Sequence, residues 1–304
     1  MVPNTKPFPP DGPSDYVARV HRGRLEKLLM REFEEEIEWG CEIKAGLMGS
    51  PPLVFPSHVK GIYSQGDLTF DCMGVHSPIK CAGGLHEIEP FVVFRGSTCF
   101  ARPLWNRKFR DWFRGHAAQI KHRFGGTVLE LSVNNINSKN DAVSLTYIYS
   151  RHHNGPLDEL WVPKRSNDEA SSPFLIGKFL DEIKTFRLKH KLPEPYDEVF
   201  DPEKMKKDNI MQWLMRTNLA EQSKLIHIWN GEKIYKLGDA AHYMPIVEST
   251  GAELAIRDGI EAANQVEENG GAMLHRWLIT RWPMKRAHVE AGRRNLYRRH
   301  SKED

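Results

Sequence analysis

The most consequential absence in this 304-residue sequence is a Gly-x-Gly-x-x-Gly turn, the glycine pattern that seats a pyrophosphate at the start of a βαβ unit. No P-loop, zinc-ligand spacing or Ser-His-Asp pattern is present either. The four cysteines include no Cys-x-x-Cys pair and are too few for a disulfide scaffold, so we expect reduced thiols. No apolar run approaches the roughly 20 residues of a membrane span, and the N-terminus does not resemble a signal peptide. These absences predict a cytoplasmic protein without a metal or a membrane span.

The composition is that of an ordinary globular chain. The hydrophobic fraction is 40%, the charged fraction is 27% and the net charge is +3. Such a chain can bury one large core or two coupled cores. Basic residues cluster only at Arg293-Arg294 and Arg298-Arg299-His300, without interleaved aromatic residues, which predicts a solvated helix face and no nucleic-acid partner.

Local patterns in the first half of the chain predict an arm, a helix and a sheet. Five prolines in the first 14 residues indicate a surface arm. Apolar residues at helical spacing predict an amphipathic helix from Arg22 to about Trp39-Gly40, and short strand-like runs follow at 61–63 and 68–70. Segments 91–94, 128–133 and 143–149 are rich in β-branched and aromatic residues and predict an antiparallel sheet, with 134–140 as a hairpin loop.

The second half returns to helical spacing. A helix is predicted over 176–186, and a strand over 233–237 leads into a Gly-Asp turn. Two helices, at about 251–268 and 273–300, follow the turn. The second should bend at Pro283, because proline removes a helical hydrogen bond.

The turn lies within the string Leu237-Gly238-Asp239-Ala240-Ala241-His242-Tyr243-Met244-Pro245, and it is followed by Gly251 and Asp258. Gly238 allows the backbone to approach a ligand closely, and Asp239 can accept hydrogen bonds from a diol. This string resembles the flavin-holding turn of the class A flavoprotein monooxygenases, a family that includes salicylate and para-hydroxybenzoate hydroxylases.

Three more segments extend the resemblance from about Val20 to the C-terminus. His21-Arg22-Gly23-Arg24-Leu25 is similar to the Arg-x-x-Leu helix start of that family, Gly74 to Lys80 is similar to its Asp-Gly segment, and Trp282 to Arg286 is similar to its last helix. The resemblance implies an α/β (α+β) chain with a truncated FAD-dependent-monooxygenase-like fold. We expect an arm at 1–19, a remnant of the FAD-binding domain at 20–90 and 225–304, and a substrate-binding domain with an antiparallel sheet at 91–224.

Departures from the family pattern affect the cofactor. The sequence begins after the family's pyrophosphate-binding unit, either natively or through a truncated gene model. Met73 stands where the family has an acid, Val247-Glu248-Ser249-Thr250-Gly251 replaces a glycine-rich run, and Glu253 replaces an asparagine. Asp71 should point elsewhere. These departures predict that no cofactor is bound, with FAD as the alternative.

The same resemblance indicates where a ligand would be held, in an apolar cavity with a few polar groups. The candidate catalytic residues are Glu248, Glu253 and His242, and the candidate substrate-binding residues are Arg22, Arg24, Tyr147 and Tyr149. If FAD binds, the candidate cofactor contacts are Arg22, Gly238, Asp239 and Gly251. A packing role for His242, a solvated Arg24 and a helix-dipole role for Glu253 are the alternatives.

The leading hypothesis is a cofactor-free enzyme of secondary metabolism. It would catalyse a redox-neutral cyclisation or isomerisation, such as a Diels–Alder type step on a lipophilic terpenoid or polyketide, by shape and one hydrogen-bond donor. The alternatives are an FAD- and NAD(P)H-dependent monooxygenase represented by an incomplete chain, and a non-catalytic binding protein. The sequence leaves the substrate and the oligomeric state open.

Overall fold

The computed structural model describes residues 22–31, 37, 39, 41–44, 53–56, 68–77, 85–114, 118–137, 141–163, 168–229, 232–245 and 250–301. The helices are α1 (Arg22–Met30), α2 (Arg102–Lys108), α3 (Pro173–His190), α4 (Tyr196–Val199), α5 (Pro202–Met205), α6 (Gly251–Asn269) and α7 (Leu274–Arg299). The strands are β1 (Cys41–Lys44), β2 (Leu53–Pro56), β3 (Thr69–Asp71), β4 (Leu85–Ile88), β5 (Phe91–Ala101), β6 (Gln119–Phe124), β7 (Thr127–Asn137), β8 (Ala142–His152), β9 (Met211–Gln212), β10 (Arg216–Leu219), β11 (Ile226–Trp229), β12 (Glu232–Lys236) and β13 (His242–Tyr243).

The described residues divide into two compact units. The first lies within Met1–Glu32, Pro90–Met215 and Arg299–Asp304, and the second lies within Phe33–Glu89 and Arg216–Arg298. Strand β10 pairs with β4 and β13, which belong to the second unit. The boundary therefore falls before Arg216 and not after Lys224 as predicted, because the backbone hydrogen bonds of β10 are made in the second unit.

The first unit contains a five-stranded sheet with the order β6-β7-β8-β5-β9, and every neighbouring pair is antiparallel. The predicted antiparallel sheet is confirmed. The predicted loop over 134–140 is too long, because β7 continues to Asn137 and pairs with Ala142. A register irregularity between Val133 and Asn135 absorbs Asn134, whose amide donates to the Thr146 hydroxyl at 2.7 Å.

Helix α3 packs on this sheet. Ser172 accepts a hydrogen bond from the Leu175 N–H at 3.4 Å, and Pro173 occupies the first helical position, a favourable helix start. Phe179 stacks on Phe94 of β5 with ring centroids 4.0 Å apart. The apolar spacing that predicts this helix therefore also supplies the face that covers the sheet.

A glycine on β5 makes room for a tyrosine on β8. Gly96 and Tyr147 are directly opposite each other in the antiparallel pair, and a Cβ at position 96 would overlap the Tyr147 ring. The ring packs edge-on against Phe200, with centroids 5.4 Å apart. Gly96 thus allows a bulky ring to lie across the sheet in the core.

The second unit combines short sheets with two long helices. Its described sheets have the orders β1-β2, β13-β10-β4 and β11-β12-β3, and β12 runs parallel to β3. Tyr235 and Leu237 pack with Leu274, Leu278 and Trp282 of α7 in a hydrophobic core. The helices predicted at about 251–268 and 273–300 are confirmed as α6 and α7.

A buried ion pair joins β3 to β12. Asp71 and Lys236 are register partners, the Lys236 Nζ lies 2.5 Å from the Asp71 Oδ2, and both side chains are almost fully buried. The Ser77 hydroxyl donates to the same oxygen at 2.7 Å, and the Met73 N–H donates to the other at 3.2 Å. The Asp71 carboxylate is therefore occupied by interior partners, which offset the cost of burying it.

The predictions for the N-terminal part of the chain have different outcomes. The helix is shorter than predicted, because α1 ends at Met30 and both Ile37 and Trp39 are non-helical. Leu28 and Leu29 are exposed, so helical spacing there is not matched by a buried face. The predicted arm at 1–19 and strand at 61–63 lie outside the described residues. Nowhere in the described chain is a helix long and apolar enough to cross a membrane.

Candidate functional site

The Gly-Asp turn follows β12 as a single turn of 3-10 helix, Gly238–Ala240. Gly238 has a φ of +55° and is buried, and a Cβ there would lie 3.0 Å from the Ala255 Cβ of α6. A side chain at this position would be strained and crowded. The turn therefore requires glycine for its backbone conformation and for its packing against α6, and the predicted close approach to a ligand stays a prediction.

Asp239 lies beside two further glycines. A Cβ on Gly74, whose φ is +71°, would lie 3.7 Å from the Asp239 Cβ, and a Cβ on Gly251 would lie 3.8 Å from the Asp239 Oδ1. Gly251 is the first residue of α6, so the carboxylate lies at a helix N-terminus. Burial raises the pKa of Asp239, and the nearby His242 opposes that rise. This carboxylate can accept hydrogen bonds from a polyol.

Asn218 on β10 is a residue that sequence reasoning missed. Its side chain is 6% exposed, and its Nδ2 donates to the Asp239 backbone oxygen at 3.5 Å. The buried Asn218 Oδ1 has no hydrogen-bond partner within the described part of the chain. A buried acceptor without a donor is costly, so a ligand hydroxyl or a water molecule would stabilise it. No motif marks this asparagine; the only signal is a polar Thr217-Asn218 pair within a strand.

Three side chains anchor the turn from behind; we call His242, Asp258 and Lys285 the anchor cluster. The Asp258 Oδ2 lies 2.6 Å from the His242 Nε2 and accepts the Gly238 N–H at 3.0 Å. The Lys285 Nζ donates to the other oxygen, Oδ1. Burial alone raises the pKa of Asp258, but the hydrogen bonds from His242 and Lys285 outweigh it and lower the pKa to about 2. One ionised carboxylate thus holds the turn, α6 and α7 together.

The environment of His242 favours the packing alternative over a catalytic role. Its side chain is 4% exposed. The cavity beside it, which Asp258, Lys285 and Trp282 also line, has a volume of about 10 Å³. That volume is about what one water molecule needs. A substrate does not fit in that cavity, which agrees with the packing alternative for His242.

The two candidate catalytic glutamates have different outcomes. Glu253 lies in the first turn of α6 with 64% of its side chain exposed, and it pairs with Arg257 at 3.2 Å. Its charge therefore faces solvent and has a partner one turn away, which agrees with the helix-dipole alternative. Glu248 lies outside the described residues.

The candidate substrate-binding residues all lie in the first unit. Tyr147 and Tyr149 are at most 1% exposed, and their hydroxyls donate to Asp208 at 3.0 Å and to Glu182 at 2.5 Å. Burial, reinforced by these carboxylates, raises the pKa of both tyrosines. Tyr147 and Tyr149 are two residues apart on β8, so both rings lie on the face of the sheet that packs into the core. Because their hydroxyls bind buried partners there, this environment argues against the predicted substrate contact. Arg22 and Arg24 are exposed on α1.

Among the described residues, no group of three or more His, Cys, Asp or Glu side chains is placed to hold a metal ion.

Comparisons with solved structures identify the fold. Klebsiella pneumoniae HpxO complexed with FAD and uric acid has a TM-score of 0.62 at 12% identity, and the match covers 93% of this chain and 64% of that one. The peptidyl tryptophan dihydroxylase QhpG has a TM-score of 0.54 at 12% identity, with 92% and 56% covered. The fold is therefore that of the FAD-dependent monooxygenases, as predicted.

Comparison of sequences finds relatives that are named FAD-dependent monooxygenases. The chain is 28% identical over 225 residues to the FAD-dependent monooxygenase aptC of Emericella nidulans, covering 72% of this chain and 51% of that protein. It is 26% identical over 260 residues to the FAD-dependent monooxygenase vrtH of Penicillium aethiopicum, covering 83% and 60%. No model of a known protein family matches the chain.

These relatives confirm the predicted resemblance to class A flavoprotein monooxygenases. The chain spans between 51% and 60% of the length of the two curated relatives.

Proposed function

We propose that this chain binds FAD through the Gly238-Asp239 turn and acts in the FAD- and NAD(P)H-dependent monooxygenation of a lipophilic small molecule. The observation that carries the proposal is the half-buried Asp239 carboxylate, set between Gly74 and Gly251 at the N-terminus of α6. FAD, when bound, supplies the redox chemistry that activates dioxygen. The relatives named FAD-dependent monooxygenase support this choice over the cofactor-free reading.

The residues around the turn fit the polyol part of such a cofactor. Gly74 and Gly251 place no side-chain atoms beside Asp239, and we infer that a hydroxylated chain approaches the carboxylate from this side. Asp239 would accept hydrogen bonds from its hydroxyls, and the buried Asn218 Oδ1 would gain the donor it lacks. The anchor cluster holds the turn in this geometry before the ligand arrives, which lowers the ordering cost of binding.

A second candidate is the redox-neutral cyclisation or isomerisation of a terpenoid or polyketide in secondary metabolism, without a cofactor. Met73, at the position of the family acid, cannot replace a carboxylate as an acceptor. Asp71 does not compensate for it, since Lys236 and Ser77 already bind its carboxylate. The absence of a carboxylate at position 73 weakens one expected cofactor contact. This observation supports the second candidate.

FAD titration of the purified protein separates the two. We expect FAD uptake, seen as flavin absorbance near 450 nm and as a change in flavin fluorescence. Replacing Asp239→Asn should weaken FAD affinity about tenfold, and Asn218→Ala should weaken it severalfold, because each removes a hydrogen bond to the ligand. Glu253→Gln is the matched control, since it removes one exposed carboxylate from the same helix start and should leave the affinity unchanged.

Thermal unfolding of each variant establishes that the fold is retained. A wild-type protein that stays colourless with excess FAD contradicts the leading proposal and supports the cofactor-free candidate. FAD uptake that is equally strong in Asp239→Asn contradicts the assignment of the turn as the contact.

A further inference from the structure

The first unit carries an open depression of about 650 Å³ where β5 passes into α2. Its lining is of two kinds. The apolar part includes Trp105, Phe113 and Ile136, and the basic part consists of Arg102, Arg110 and Arg114. All of these residues belong to the first unit, whereas Gly238 and Asp239 belong to the second.

The apolar floor of the depression is a packed aromatic cluster. Trp105 is 5% exposed and stacks on Phe109 with ring centroids 5.3 Å apart and an interplanar angle of 1°. Phe113 also packs against Trp105, with ring centroids 5.2 Å apart. Phe109 in turn packs against Phe100 of β5. The floor is therefore held by the core, and Phe113, which is only partly buried, is its more accessible ring.

The rim of the depression is strongly basic. Three of the described side chains that line the depression are arginines, and none of the lining side chains is acidic. Arg102 pairs with Asp141, and Arg114 pairs with Asp111, each at 3.3 Å and with both carboxylates largely exposed. Exposed pairs of this kind contribute little and exchange readily. Among the carboxylates that the structure describes, none pairs with Arg110.

We propose that this depression binds a small organic anion, an aromatic or polycyclic carboxylate whose rings lie on Trp105 and Phe113. The Arg110 and Arg114 guanidinium groups bind its carboxylate, since guanidinium and carboxylate match in charge and geometry. An aromatic floor beside two arginines matches a ligand that carries both rings and one carboxylate. This site does not depend on FAD binding.

Binding of 2-naphthoate to the purified protein, measured by equilibrium dialysis, tests the proposal. Two related probes separate the contributions: 2-naphthalenemethanol keeps the rings without the charge, and acetate keeps the charge without the rings. We expect 2-naphthoate to bind at least about tenfold more tightly than either.

Substitution of Arg110→Gln should weaken 2-naphthoate binding about tenfold, because it removes a charge-assisted hydrogen bond. The matched control is Arg107→Gln, which removes the same charge from an exposed position on α2 that does not line the depression, and it should change the affinity less than about twofold. Both arginines are exposed, so neither variant should disturb folding.

Three results would overturn the proposal. They are the absence of 2-naphthoate binding at about 1 mM, equal binding of the uncharged probe, and equal weakening in Arg110→Gln and Arg107→Gln. The last result would assign the binding to the general positive charge around α2. None of these results bears on FAD uptake, so this proposal and the proposed function fail independently.

Discussion

At the residue scale, the pairing of Gly96 with Tyr147 shows how one missing side chain sets the packing of the core. The Tyr147 ring occupies the space above Gly96, and its hydroxyl reaches Asp208 at 3.0 Å. Replacing Gly96→Ala forces the ring to move, so both the aromatic packing and the hydrogen bond are disturbed. We expect the free energy of unfolding to fall by about 2 kcal/mol.

Denaturant unfolding measures this effect, with Gly177→Ala as the control. Gly177 is exposed within α3, and a Cβ there would meet no atom within 4 Å. Alanine at that position should stabilise the helix by about 0.5 to 1 kcal/mol. The account of Gly96 is wrong if the two substitutions change stability in the same direction.

The sequence predicts the turn better than its surroundings. Gly238 and Asp239 are recognisable because a tight turn constrains residues that are neighbours in the chain. Asn218 is not recognisable, because it reaches Asp239 only through the pairing of β10 with β13. His242 matches the motif, yet its role depends on Asp258 and Lys285, which lie on two different helices.

At the element scale, α7 continues past Pro283 from Leu274 to Arg299. Proline has no N–H, so the Ile279 carbonyl, four residues earlier, loses its helical donor. The Gln222 side chain supplies a substitute, because its Nε2 donates to that carbonyl at 3.2 Å. The bend expected at Pro283 stays a prediction.

Replacing Pro283→Ala should therefore stabilise the protein. A proline inside a helix costs about 3 kcal/mol, and we expect about 1 to 2 kcal/mol to be regained because Gln222 already offsets part of that cost. The test is to measure the free energy of unfolding of three variants: Pro283→Ala, Gln222→Ala and the double variant. Loss of Gln222 should cost less in the Pro283→Ala background, where the new N–H takes its place. Destabilisation by Pro283→Ala would refute the explanation.

At the scale of the whole molecule, the stability of the second unit depends on the ionised Asp258. Its pKa is about 2 in the folded chain, against an ordinary value of 3.8. Because the folded pKa is the lower one, the unfolded state binds the proton first as the pH falls. The contribution of Asp258 is therefore fully present above pH 3.8 and is lost as the pH falls through about 2.

Replacing Asp258→Asn should lower the free energy of unfolding by about 3 kcal/mol near neutral pH, because His242 and Lys285 lose a buried partner. The variant should also show a smaller loss of stability than the wild type between about pH 5 and pH 2. Glu253→Gln on the same helix is the control and should cost less than about 0.5 kcal/mol, since its ion pair is exposed. Equal effects of the two substitutions would show that Asp258 does not anchor the fold.

The sequence by itself determined the elements that depend on neighbouring residues: the antiparallel strands, α3, α6, α7, the Gly238-Asp239 turn and the resemblance to flavoprotein monooxygenases. Periodicity and turn chemistry are local, so a linear pattern records them. Only the tertiary structure decided which polar groups are buried and with what partners. Asp71 meets Lys236, His242 meets Asp258, and Tyr147 and Tyr149 turn into the core because distant segments are brought together. The energy of a buried polar group depends on those partners, and a single sequence does not state them.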